Sequence, residues 1–170
     1  MKNARAIFGI VIVSIMVVAS VQAATSDSVT ATVTVQNISV SLDQTSFSYG
    51  TMPSNSASST LTLWSAAGIV ATNNGNVTED FDVYGADTAD WTLAAAAGAD
   101  EYVHQFCNDT DNDCGTPPAN YTAMTTNPQA LKSSVAAAGT MAFQLRITTP
   151  NPSTVFTEQS ASVTVQASAS

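Results

Sequence analysis

The sequence predicts an all-β protein, an antiparallel sandwich of about seven or more short strands. Three observations carry this. Apolar residues alternate with Ser and Thr in short runs, as half-buried strands require. Pro, Gly and Asn clusters separate the runs. No stretch holds a helical period long enough for a substantial helix.

In chain order, Val29, Ala31, Val33 and Val35 alternate with Thr, and Ile38, Val40 and Leu42 follow in the opposite phase. The slip falls at Gln36-Asn37 and moves side chains to the other face, which predicts a bulge or a strand leaving one sheet for another. Leu61-Thr62-Leu63, Phe81-Asp82-Val83, Trp91-Thr92-Leu93, Phe143 to Ile147 and Val163 to Ala167 are the further period-two runs. Tyr49-Gly50-Thr51-Met52-Pro53 is a predicted turn, and Asn73-Asn74-Gly75-Asn76 carries an Asn-Gly hairpin signal. The prolines of 115–118 and 149–152 exclude those segments from a central strand. Ala94–Ala97 and Val135–Ala138 are alanine runs open to a short helical turn, each ending at Gly and so read as connectors.

Residues 1–23 have the layout of a signal peptide. Lys2 and Arg5 precede an apolar run from Ala6 to Val18, and Val21-Gln22-Ala23 offers small residues at the cut. That run is about 13 residues, short of the roughly 20 that span a bilayer. No cysteine follows the cut to take a lipid, and no apolar stretch closes the C-terminus. The expectation is a secreted or cell-surface protein with no membrane insertion after cleavage.

Residues 24–170 then form a single domain of ordinary size, with no internal repeat. Lys132 and Arg146 stand against thirteen acids there, a net of −11. A phosphate backbone would be repelled, which excludes nucleic acid.

Cys107 and Cys114 are the two cysteines, close together in a chain read as exported, and predict a disulfide. Closing so small a ring is worth roughly 2.5 kcal/mol on the chain-entropy account. Between them lie Asp109, Asp111 and Asp113, alternate carboxylates that can share a hard cation such as calcium. Cys114 stands where a calcium loop has its Gly, and Asn120 where it has its bidentate Glu. The competing account is a solvated acidic turn pinned by the disulfide.

Nothing marks an enzyme. His104 is the one histidine, no Gly-x-Ser-x-Gly elbow is present, and zinc would lack ligands. Tyr84, Tyr102 and Tyr121, with Trp64 and Trp91, offer faces for stacking a glycan, against the ordinary alternative of core packing.

The region from about Ile38 to Leu93, with Phe47-Ser48-Tyr49-Gly50, Thr60-Leu61-Thr62-Leu63, Asn74-Gly75-Asn76-Val77 and Phe81-Asp82-Val83, resembles bacterial immunoglobulin-like surface domains. That resemblance implies an immunoglobulin-like or jelly-roll-type sandwich. Trp64-Ser65-Ala66-Ala67 and the Cys-bounded insertion depart from the pattern. The signal peptide followed by a Thr/Val strand also resembles the TasA/camelysin-like subunits of extracellular fibres, which implies self-association.

The N-terminal run sharpens this. A free, regular strand bearing Val29, Ala31, Val33 and Val35 can pair within its own domain. Residues 24–36 can equally be donated to the open edge of a neighbouring copy, with Gln36-Asn37 as the hinge. The expectation is therefore a non-enzymatic secreted or cell-surface subunit that polymerises by strand donation. The alternative is an adhesin or carbohydrate-binding module.

Overall fold

A computed structural model describes residues 26–64 and 68–170. The signal-type segment 1–23 lies outside the described residues. The chain divides into two units, one ending at Thr34 and the other running Val35–Ser170.

In the first unit, residues 26–34 belong to no strand, and Val29 and Val33 are 94% and 90% exposed. The expected slip from one strand into another is therefore not seen. The first strand starts only at Val40, and the backbone just before it is held by the contacts described below.

The second unit contains ten strands and one short helix among the described residues. In order these are β1 Val40–Leu42, β2 Ala57–Ser59, α1 Thr60–Trp64, β3 Ile69–Asn73, β4 Glu79–Gly85, β5 Thr92–Leu93, β6 Glu101–Asn108, β7 Thr122–Ala123, β8 Gln129–Val135, β9 Thr140–Thr148 and β10 Val163–Ala169. They form two sheets, so the chain is all-β. The larger runs β1-β3-β9-β6-β5, with β2 also on β9 and β7 also on β6. The smaller runs β10-β4-β8.

The nine-residue β9 organises the larger sheet. One edge receives β3, with Ile69 opposite Phe143, and further along β2, with Ser58 opposite Ile147. The other edge pairs with β6, from Val103–Thr148 to Asn108–Phe143. All these pairings are antiparallel; the two-residue β5 joins β6 in parallel. Alternation on β9 turns Met141, Phe143, Leu145 and Ile147 inward. Met141, Phe143 and Leu145 meet Ile69 and Ala71 of β3, and Phe81, Val83, Leu131 and Val135 from the smaller sheet, in one core. Phe81 and Phe143 are completely enclosed, each burial stabilising the fold by about 1.5–3 kcal/mol.

Two sequence expectations fail for identifiable reasons. Leu61-Thr62-Leu63 is helical, not a strand. Ser59 Oγ accepts the Thr62 backbone N–H, as a helix cap does, at 3.4 Å. Thr60 Oγ1 donates to buried Gln144 Oε1 at 2.6 Å and accepts the Leu145 N–H at 2.9 Å. This anchoring to β9 leaves the turn starting at Thr60 to wind instead of pair. Asn73–Asn76 is no hairpin either, because β3 lies in one sheet and β4 in the other. The alanine runs form bends and turns, with Ala138 at φ 60.

Candidate functional site

Two features of the second unit bear on function: a clasp on residues 35–41 and a cleft on the far side of β1.

The clasp is made by side chains of the β3–β4 connection. Asn76 Nδ2 donates to the Val35 carbonyl at 2.9 Å, and Asn76 Oδ1 accepts the Asn37 N–H at 2.8 Å. The Asn76 N–H returns to the Asn37 carbonyl, and the Asn74 N–H to the Ser39 carbonyl. Asn74 Nδ2 reaches Ser41 Oγ at 2.7 Å. Glu79, wholly buried, accepts the Ser39 N–H on Oε1 at 2.9 Å, while its Oε2 has no partner among the described residues. The sequence supplies this clasp through glycine. A Cβ on Gly75 would collide with Glu79 Oε1 and the Asn37 carbonyl, so a larger residue forces the clasp to shift. The asparagine side chains thus add to the two main-chain bonds of this segment, satisfying main-chain groups that those bonds leave over.

The cleft has a volume of about 1040 Å³. One wall is the segment after β1, including Phe47 and Tyr49; the other is the connection from Ser153 into β10. Ile69, Phe143, Leu145 and Ile147 contribute apolar side chains to its lining, and Trp91 and His104 border it. Both walls are irregular. Among the described residues, neither 44–52 nor 156–162 makes a main-chain to main-chain hydrogen bond. Phe156, on the second wall, is 90% exposed.

At the edge of the cleft lies an aromatic cluster. Phe47 packs edge-on against Tyr49 and against Trp64 of α1, with ring centres 4.9 Å apart in each case. Tyr49 Oη and His104 Nε2 share a hydrogen bond of 3.1 Å. Tyr102 and Trp91 complete the group. Burial pushes the His104 pKa down to about 4 and that of Tyr102 up to about 12, with the Asp87 charge adding to the latter. Burial also raises the Tyr49 hydroxyl. His104 is therefore a neutral imidazole at pH 7. Its Nδ1 and the Trp91 Nε1 are buried without partners among the described residues. Asp109, a sequence neighbour of His104, is used elsewhere: its Oδ2 accepts from Gln144 Nε2 at 3.0 Å.

Cys107 and Cys114 form the expected disulfide. The three carboxylates near it turn to separate partners. Asp109 goes to Gln144, and Asp113 accepts the Gly115 N–H at 2.8 Å. Asp111 takes the Lys132 ammonium at 2.6 and 2.8 Å and also Asn108 Nδ2. The Lys132 hydrogen bond holds the Asp111 carboxyl below its ordinary range. Among the described residues, no group of three or more acidic, His or Cys side chains is gathered as a metal site would need.

The three tyrosines are likewise dispersed in role. Tyr102 is completely enclosed and donates to the Ala86 carbonyl at 2.6 Å, so its face is closed to a sugar. Tyr84 is half-buried on β4, and Tyr121 donates to the Cys114 carbonyl at 3.3 Å. Val29, Ala31 and Val33 remain exposed in the first unit, and Val35 is 81% exposed.

Sequence reasoning missed the cleft, because two loops some hundred positions apart build it. Phe156, an isolated aromatic in a Ser/Thr-rich connection, was the one available signal. No protein-family model, curated protein or solved structure matches the chain.

Proposed function

We propose that this chain is a secreted or cell-surface structural subunit without enzymatic activity. Its body is an immunoglobulin-like or jelly-roll-type sandwich, and it polymerises into an extracellular filament by donating residues 24–36 to a neighbour. The observation that carries this is the N-terminal run itself. Val29, Ala31, Val33 and Val35 alternate as a strand with one apolar face, yet they stand exposed and in no ladder. Exposed aliphatic side chains on an unpaired backbone form the half of a β-interface that strand addition uses. A head-to-tail contact of that kind propagates without closing. The clasp on Val35 to Ser41 supports the same reading, since a donated strand needs a fixed point of departure.

The test compares residues 24–170 with the same chain lacking 24–35, by light scattering and negative-stain microscopy. Fibres from the first and monomers from the second are expected. A monomer from the first, or unchanged fibres from the second, would refute the proposal.

A further inference from the structure

We infer that the cleft beside β10 receives residues 29–35 of a second copy of this chain, laid as an added strand along Phe156–Ser162 and the open edge of β10. This rests on the strand-donation reading and names its acceptor.

The acceptor side has what an incoming strand lacks. Among the described residues β10 is bonded to one neighbour, β4, and its other edge is open. The chain leading into it, 156–162, has no main-chain partner among the described residues. Backbone N–H and C=O groups are strong, directional sites, and a strand running alongside meets them in series. Behind that edge lies the apolar lining from Leu42, Phe47, Ile69, Phe143 and Leu145. Inner-face side chains at such a position are normally covered by a further strand.

The donor side matches in chemistry and length. One face of the run is Val29, Ala31, Val33 and Val35, and the other is Thr30, Thr32 and Thr34. Alternation therefore sends aliphatic groups to the lining and hydroxyls to water. Residues 28–42 carry no charge, in a chain otherwise rich in acids. An uncharged strand meets no repulsion from Glu158 on the cleft wall. Seven residues of strand extend about 23 Å, and Phe156–Ser162 is also seven residues.

The two ring nitrogens at the cleft border add a separate argument. Buried polar atoms without partners are rare and call for explanation. Trp91 Nε1 is a donor only, so the partner it lacks among the described residues is an acceptor. A main-chain carbonyl entering the cleft is such an acceptor. His104 Nδ1 can be served by either group of a peptide unit.

The test is photo-cross-linking within assemblies of residues 24–170. A benzoyl derivative of phenylalanine replaces Val33 in one preparation and Phe156 in another; both positions are about nine-tenths exposed and accept the larger group. Each is mixed with an isotope-labelled unsubstituted copy, and mass spectrometry assigns every cross-link within or between copies. The expected result joins position 33 of one copy to 44–52 or 156–164 of another, and position 156 to 28–36. Cross-links to another part of the second copy would overturn the cleft and leave strand donation standing. Cross-links confined to single copies, or none from either preparation, would overturn both.

Discussion

His104 shows how one side chain ties the stability of the body to pH. Its ring is shut in by Tyr49 and Tyr102, and no carboxylate shares a hydrogen bond with it among the described residues. Burial alone holds its pKa at about 4, against 6.5 in an exposed chain. Between those values the unfolded chain binds a proton that the folded chain does not. Stability is thus fully present above pH 6.5 and declines as pH falls toward 4, by about 3 kcal/mol at full extent. The urea midpoint should drop across this window. His104→Gln retains a polar group for Tyr49 but cannot titrate, so its midpoint should hold nearly level from pH 6.5 to 4.5. An equal slope in both proteins would show that other groups govern the acid response. Asp80 and Asp100, held low by hydrogen bonds from Ser170 and Thr154, act below this window.

At the scale of elements, the turn between β3 and β4 has a sharp steric requirement. Gly75→Ala puts a methyl group into Glu79 and the Asn37 carbonyl, at a site with backbone on one side. A loss of about 1–3 kcal/mol is expected, as for other overpacked sites. Gly50→Ala is the comparison: its φ of +74 strains an alanine, but nothing lies within 4 Å of the new Cβ. The melting temperature should fall further for Gly75→Ala, and the reverse order would contradict the close packing of the clasp. The same turn marks a limit of sequence reasoning. Asn-Gly signals a tight reversal but does not say whether the next strand stays in the same sheet. Alternation located Phe81-Val83, Phe143–Ile147 and Val163–Ala167, because each has one buried and one more open face. It did not locate β6, where Tyr102 to His104 and Phe106 to Asn108 are all buried, so no period of two survives. β8 was hidden by its irregular register against β4 and by Ser134 at φ 57. The cysteine pair was legible from spacing, and the fate of the neighbouring aspartates was not. Lys132 and Gln144, which claim Asp111 and Asp109, come from strands β8 and β9.

For the whole molecule, the two sheets share a core, and the scarce positive charges are bound into both. Lys132 lies in β8 of the smaller sheet and pairs with Asp111. Arg146 lies in β9 of the larger sheet and donates to Gln105 and Thr148. They are the only basic residues from position 24 onward. That placement has a consequence for attack by proteases. A trypsin-like protease cuts after Lys or Arg and must draw several residues of chain into its own active site. Here it can do so only by opening a strand of either sheet, which costs much of the folding free energy. The exposed N-terminal run offers it no cleavage site. Folded 24–170 should therefore survive trypsin for hours and be cut within minutes in urea beyond its unfolding midpoint, as gel electrophoresis would show. Rapid cutting of the native protein at Lys132 would mean that β8 opens on its own.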